Sequence, residues 1–534
     1  MALLEIENLR LSLGGTEILK GVSLTLESGR ILGLVGESGS GKSMTSMSIL
    51  RLLPPGAQVS GSIRLSGEEL LTKTESQMCA LRGADIGVVF QEPMTALNPL
   101  MTIGDQVAEA VRLHRGGGRA EAMATAVKAL ERAGLPGEKF PPSRYPHELS
   151  GGQRQRVAIA IATALKPKLL IADEPTTALD VTTQAQILEL LKSLAREDGA
   201  GLILITHDLA VVAETADEVA ILQAGEVVEA GPTVPLFRNL THPYAKRLAA
   251  DAALAKTAPA APEAAGEVLR AEDVVRTYPG PRRAPWKKPE TFTAVGGVSL
   301  TVGAGETVGL VGESGSGKST LLRAVLGLDP LQGGQVSLMG RAFPPAGHAA
   351  SRGARRDIQA VFQDPYGSFD PRWRVAELIA EPFHLMDNPP TGEEKARRIG
   401  AMLQRVGLDA SAASRFPHQF SGGQRQRIAI ARALITEPKL VVLDEAVSAL
   451  DVTVRAQILD LLAELSRELG VAYLFVTHDL SVVRAVCHRV LVMQAGKIVE
   501  EGATEAVFSA PAHDYTRRLM AATPDLERAL AARA

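Results

Sequence analysis

Two glycine-rich segments carry the first recognisable chemistry. Gly36-Glu-Ser-Gly-Ser-Gly-Lys42-Ser43 and Gly312-Glu-Ser-Gly-Ser-Gly-Lys318-Ser319 both fit G-x4-G-K-[ST], each directly after a short apolar run. Gly36, Ser38, Gly39 and Gly41, with their counterparts Gly312, Ser314, Gly315 and Gly317, allow backbone N–H groups to curl around phosphate oxygens. A helix start directly behind such a loop adds a dipole that favours anions. Lys42 and Lys318 would reach the β- and γ-phosphates, and the Ser43 and Ser319 hydroxyls would ligate Mg2+. A glycine turn that happens to precede a helix is the bland alternative, and two full copies in the same context argue against it.

Acids follow downstream. The apolar runs 169–173 and 440–444 end in Asp173-Glu174 and Asp444-Glu445. An aspartate at a strand end can hold Mg2+, and the glutamate after it can polarise a water for in-line attack on a γ-phosphate. Alone, such a pair is often only a solvated strand end. His207 and His478 lie at a constant distance beyond the glutamates (207 − 174 = 33, 478 − 445 = 33), as expected of a group that orients the γ-phosphate and water. Gln91 and Gln363 end further apolar runs and can sense Mg2+ and the attacking water; plain surface glutamines are the other reading. Ser150-Gly151-Gly152-Gln153 and Ser421-Gly422-Gly423-Gln424 each open a helix. That pattern is a capping signature and equally a second anion site of N–H groups and a hydroxyl.

These groups need a sheet to hold them. The pattern predicts strands over 31–35 and 307–311, then 169–173, 440–444, 202–206 and 473–477, after apolar segments at 3–13, 22–26 and 298–302. Short apolar runs alternating with helical stretches indicate an α/β fold with buried parallel strands. Helical insertions are expected at about 95–148 and 368–419. The motif offsets (318 − 42 = 276, 421 − 150 = 271, 444 − 173 = 271) mean a duplicated domain. Domains are expected at 1–250 and 268–534, joined by an Ala/Pro-rich linker at 251–267.

Composition removes several classes. The 534 residues carry a net charge of −3 and only 4% aromatics, which argues against a nucleic-acid partner. Cys79 and Cys487 form no zinc or iron–sulfur spacing. No signal peptide opens the chain and no run of eighteen apolar residues occurs, so a cytosolic, non-spanning protein is expected.

With LSGGQ beside the glycine loop and the acid pair, both halves resemble the ABC ATPases. The resemblance implies tandem P-loop ATPase domains, each a mixed sheet core with an antiparallel β part and a helical subdomain. It implies ATP and Mg2+ as ligands, bound at two composite sites in a head-to-tail sandwich. Lys42, Ser43, Gln91, Asp173, Glu174 and His207 would join Ser421 and Gly423. Lys318, Ser319, Gln363, Asp444, Glu445 and His478 would join Ser150 and Gly152. Residues 90–99, 362–371, 241–250 and 512–522 are similar to the peptide/nickel/opine importer group, whose fused members serve uptake of peptides, glutathione or peptide-like antibiotics such as microcin C. Such a member is a peripheral motor on the cytoplasmic face of the inner membrane, working with two transmembrane permease subunits and a secreted substrate-binding protein. A permease helix would dock just after Gln91 and Gln363, in stretches including Met94–Leu100 and Tyr366–Val375, where Ala96, Leu97, Phe369 and Trp373 suit an apolar helix face. Three departures stand out. The cysteine cluster of many group members is missing, so no iron–sulfur cluster is implied. Tyr278 occupies the adenine-stacking position of the second half, where the first half has Leu13. The loop after Tyr278 carries Arg282, Arg283, Trp286, Lys287 and Lys288. The alternative is a soluble tandem ABC ATPase acting on ribosomes or nucleic acid, a class usually marked by a charged helical linker or basic extensions.

Overall fold

β1 (Ala2–Leu13) and β2 (Thr16–Glu27) pair antiparallel across a turn at Gly14 and Gly15, both with positive φ (58° and 83°). Two left-handed residues match the natural twist of the strands they join, and glycine reaches that conformation without strain. β1 also pairs with β4 (Gln58–Leu65), which leads to β5 (Glu68–Glu69), giving a sheet in the order β2-β1-β4-β5. The central sheet takes β3 (Ile31–Val35), β6 (Ile86–Val89), β7 (Leu169–Asp173), β8 (Gly201–Ile205), β9 (Glu218–Gln223) and β10 (Glu226–Pro232), in the order β10-β9-β3-β8-β7-β6. All neighbours are parallel except the β9–β10 hairpin.

This computed structural model describes residues 2–90, 96–177, 179–253, 266–280, 291–344, 352–364, 367–448 and 450–533.

Every residue of β3, β7 and β8 is buried, as continuous apolar runs covered on both faces must be. The alternation along β3 assigns the two faces. Leu32 and Leu34 join Leu4, Ile6 and Leu24 in the layer shared with the antiparallel sheet. Ile31 and Val35 face the helices, with Leu191 and Val212. The helical insertion has its own core: Ile103, Val107 and Val111 of helix Ile103–Arg115 meet Ala122, Ala126 and Leu130 of helix Arg119–Arg132.

The second half repeats the plan. β11 (Glu267–Pro279), β12 (Thr291–Gly303), β14 (Gly333–Leu338) and β15 (Arg341–Ala342) form a sheet in the order β12-β11-β14-β15. β13 (Thr307–Val311), β16 (Ile358–Val361), β17 (Leu440–Asp444), β18 (Ala472–Thr477), β19 (Arg489–Gln494) and β20 (Lys497–Ala503) run β16-β17-β18-β13-β19-β20, the same neighbours as in the first half.

The chain divides into two compact units, and their limits differ from the expected ones. One comprises Met1–Ala253 with Asp451–Thr453 and Pro524–Ala534; the other comprises Leu254–Leu450 and Val454–Thr523. Helix Leu526–Ala532 places Leu526, Ala529 and Leu530 in the core of the first unit, at helical i, i+3, i+4 spacing. Both ends of the expected linker are regular structure. Helix Pro243–Ala253 continues through its alanines, which favour helix, and β11 already begins at Glu267.

Gly33 of β3 packs under helix Leu209–Thr215, where an added Cβ would meet Val212 Cγ1 and lie 3.1 Å from Ala216 Cβ. At Gly309 of β13 the same atom would lie 2.7 Å from Val483 Cγ1. Overfilling a packed site costs about 1–3 kcal/mol, so Gly33→Ala and Gly309→Ala should each lower unfolding free energy by about that much in denaturant titrations. Gly231, whose Cβ would meet nothing within 4 Å, is the comparison site. Its alanine variant should stay within about 0.5 kcal/mol of wild type.

Candidate nucleotide site

The strand order brings the ends of β3, β7 and β8 side by side, and the candidate residues of the first unit follow those three strands. After β3 the chain turns through residues 36–41 into helix Lys42–Leu50. Gly36 and Gly41 hold φ values of 152° and 107°, which residues with a Cβ rarely adopt. A Cβ on Gly41 would also lie 2.7 Å from Leu19 Cδ2 of β2. The Lys42 side chain is folded back into the loop. Its Nζ donates to Gly36 O (2.7 Å) and Glu37 O (2.8 Å), and the residue is only 6% exposed. Burial lowers the lysine's pKa, opposed by the negative charges of Glu174 and Asp173. Lys318 repeats the arrangement, donating to Gly312 O (2.7 Å) and Glu313 O (2.8 Å).

Asp173 closes β7, is 8% exposed, and has an Oδ1 atom that is buried without a hydrogen-bond partner. Burial raises its pKa despite a hydrogen bond with Ser43. Asp444 is pushed up to about 6 by burial and the neighbouring Glu445 charge. Each following glutamate sits in the left-handed region, with φ 46° at Glu174 and 47° at Glu445. Their backbone N–H groups donate to Ile205 O (2.9 Å) and Val476 O (2.8 Å), which turns each carboxylate toward the neighbouring strand end. There His207 Nδ1 lies 3.3 Å from Glu174 Oε1, and His478 Nδ1 lies 3.2 Å from Glu445 Oε1. Burial would raise these glutamates. The hydrogen bonds and charge of the histidines and the charge of Lys42 or Lys318 outweigh it, so both are held below the usual carboxylate range.

Gln363 Nε2 donates to Glu445 Oε2 at 2.8 Å. In the first unit Thr177 Oγ1 donates to Glu174 Oε2 at 3.0 Å. Gln91 lies outside the described residues.

The LSGGQ segments form their caps. Ser150 Oγ accepts from Gln153 N at 3.4 Å while Gln153 Oε1 accepts from Ser150 N at 2.9 Å; Ser421 and Gln424 do the same at 3.4 and 3.1 Å. Gly152 and Gly423 fit closely, since an added Cβ would meet Thr183 Cγ2 or Val454 Cγ1. Tyr278, at the end of β11, donates from its hydroxyl to Asp329 Oδ2 (2.9 Å) and carries the Arg276 guanidinium 4.3 Å from its ring centre. Leu13 closes the first hairpin opposite Thr16. Arg282, Arg283, Trp286, Lys287 and Lys288 lie outside the described residues.

Two of the four positions expected to receive a partner helix need correction, while Ala96 and Trp373 are exposed. Leu97 (4% exposed) and Phe369 (5% exposed) are core residues of their helical insertions, Phe369 beneath the Arg432 guanidinium. In the second unit the expected Trp373 lines a groove of about 650 Å³ with Phe362, Leu328 and Leu385, edged by Arg355 and Glu381. The periodicity of a short loop carried no sign of which aromatic would turn inward.

Sequence reasoning also missed Tyr244 and Tyr515, whose hydroxyls accept from the N–H of Glu37 (3.0 Å) and Glu313 (2.8 Å), inside the glycine loops. Their spacing was the available signal, because 515 − 244 = 271 is the offset of the acid pairs.

Comparison with known proteins agrees with this layout. The ABC transporter family model matches residues 19–177 and 295–448, and the model of the oligopeptide/dipeptide transporter C-terminal region matches 499–533. The glutathione import ATP-binding proteins GsiA of Escherichia coli K12 and Shigella sonnei are each 46% identical over 543 residues, covering 95% of this chain and 86% of theirs. The dimeric bacterial ABC transporter cassette MJ0796 aligns with 44% of this chain and 98% of its own at 31% identity, with a TM-score of 0.39. One match to each half, and relatives at this identity over nearly the whole chain, establish that the protein belongs to the ATP-hydrolysing subunits of the ABC transporter family.

Proposed function

We propose that this chain drives the import of peptides or peptide-like solutes. It would sit on the cytoplasmic face of the inner membrane, with two permease subunits and a secreted binding protein. The observation that carries the reading is the oligopeptide/dipeptide match at 499–533 in a chain whose near-full-length relatives are named for import of glutathione, itself a tripeptide. Among the described residues no helix is long and apolar enough to cross a membrane, which is consistent with separate membrane subunits.

In this reading the Gly36–Ser43 and Gly312–Ser319 loops take the ATP phosphates. Lys42 and Lys318 are buried cations resting on uncharged carbonyls, and an entering γ-phosphate offers each a stronger, charged acceptor. Glu174 and Glu445 are ionised and can polarise the attacking water, held in place by His207 and His478. Mg2+ fits this donor set. Asp173 Oδ1 is buried and unpartnered beside the Ser43 hydroxyl, so Ser43 and Asp173 would hold the ion, as would Ser319 and Asp444. When bound, Mg2+ neutralises charge on the β- and γ-phosphates. Gln91 and Gln363 are assigned beside it. Ser150–Gln153 and Ser421–Gln424 supply a further phosphate contact, since a cap serine that accepts at 3.4 Å still has its own proton to donate. Tyr278 is assigned to the adenine base.

Glu174→Gln and Glu445→Gln should each slow turnover at their own site by about 10²-fold or more while leaving ATP binding intact. A double variant that hydrolyses ATP near the wild-type rate would refute the assignment.

The second-unit groove is the proposed permease contact, because its exposed Trp373 and Phe362 suit the apolar face of a short helix. A cysteine at Trp373 should crosslink to a co-expressed permease, whereas one at the buried Phe369 should not. Co-purification with ribosomes or DNA, with no membrane association in the presence of the permeases, would overturn the importer reading.

A further inference from the structure

The phosphate loops are held from outside by a device that occurs twice. In the first unit Glu229 of β10 accepts from the N–H groups of Thr241 (2.6 Å) and His242 (2.7 Å), fixing the turn that opens helix Pro243–Ala253. His242 Nδ1 then accepts from Tyr244 N at 3.3 Å. The tyrosine, 4% exposed, points its hydroxyl at the loop and accepts the Glu37 N–H at 3.0 Å. Arg247 lies 5.6 Å from the Tyr244 ring centre and 4.0 Å from Glu37 Oε1.

In the second unit Glu500 of β20 accepts from Ala512 N (2.7 Å) and His513 N (3.1 Å), and His513 Nδ1 accepts from Tyr515 N (3.1 Å). Tyr515, 2% exposed, accepts the Glu313 N–H at 2.8 Å, with Arg518 6.0 Å from its ring centre. Glu, His, Tyr and Arg all recur at the same offset (500 − 229 = 513 − 242 = 515 − 244 = 518 − 247 = 271).

What the tyrosine holds matters for the lysine. The Glu37 N–H and the Gly36 carbonyl belong to one amide plane, and Lys42 Nζ rests on that carbonyl at 2.7 Å. The same plane in the second unit carries Tyr515 on its N–H and Lys318 on its carbonyl, again at 2.7 Å. A trans amide points these two groups in opposite directions, so fixing one fixes the other. The residue before the amide is glycine, with φ of 152° or 156°, and glycine imposes little torsional preference of its own. The orientation of the plane therefore depends on its hydrogen bonds.

We propose that Tyr244 and Tyr515 are positioning residues for ATP: each pins the first amide of its phosphate loop and so presets the seat of the loop lysine. The proposal rests on the assignment of these loops to the ATP phosphates. It gives the C-terminal part of each half a direct role in nucleotide affinity, where packing alone would give it none.

The test is ATP binding and steady-state turnover by the full-length protein carrying Tyr244→Phe, Tyr515→Phe or both, with thermal unfolding in parallel. Phenylalanine keeps the ring and removes the acceptor. Losing one such hydrogen bond should weaken ATP affinity by about three- to tenfold, with a rise in KM larger than any fall in kcat. Unchanged ATP affinity, whatever the change in Tm, would overturn the proposal, since a merely structural tyrosine would move Tm alone. Glu500→Gln leaves Tyr515 intact and removes one of the two carboxylate acceptors that hold its turn. It must shift affinity in the same direction, and no shift counts against the proposal. Lys42→Ala and Lys318→Ala separate the two levels. If they do not impair ATP binding, the phosphate-loop assignment has failed; if they do and the tyrosine variants bind like wild type, only the present proposal has failed.

Discussion

A buried ammonium group beside a partly buried pair of carboxylates is the constraint around which each unit is arranged. Lys42 has little water, so its charge must be met by the Gly36 and Glu37 carbonyls and by the field of Asp173 and Glu174. That requires a loop whose carbonyls point inward, which in turn requires glycine at the left-handed positions Gly36 and Gly41. It also requires the acids to end a strand close to the loop. The order β9-β3-β8-β7 meets both conditions, because neighbouring parallel strands present their carboxyl ends at one edge. β8, between the loop strand and the acid strand, then delivers His207 to Glu174. The same reasoning holds for Lys318, Asp444, Glu445 and His478 on β13, β17 and β18.

Duplication preserved this arrangement while its surroundings drifted. The hydroxyl of Thr177 donates to the Glu174 carboxylate, whereas that of its counterpart Ser448 donates to the Glu445 backbone carbonyl. One half offers the tethered ring of Tyr278 and the other an aliphatic Leu13. The lysine, acids and histidines are thus nearly equal in the two halves, and the residues at positions 13 and 278 are not. The tyrosines reaching the loops fall on the conserved side of this division, since both ends of each hydrogen bond are present twice.

Most of the framework was legible in the residues. Ile31–Val35, Thr307–Val311, Leu169–Asp173 and Leu440–Asp444 are strands at the expected bounds, because an apolar run between a turn and a glycine or acid has few other uses. Strand ends also announced the acids and histidines, whose separation repeated. What stayed hidden depends on contacts distant in sequence. Nothing local indicates that Phe369 turns into a core under Arg432 while Trp373 stays exposed. Nor does alanine-rich composition say where helix Pro243–Ala253 stops, or that Leu526, Ala529 and Leu530 belong with the first unit. The Tyr244–Glu37 bond spans 207 residues, and only the matching offset of its copy hinted at it.

The central claim is that the chain carries two complete nucleotide sites. The most direct measurement is the number of ATP molecules bound per chain at saturation, with Mg2+ present and turnover blocked at Glu174 and Glu445. The account predicts two. A single bound ATP would contradict it, because one of two loops with the same lysine seat and the same acid pair would then be unable to hold the nucleotide.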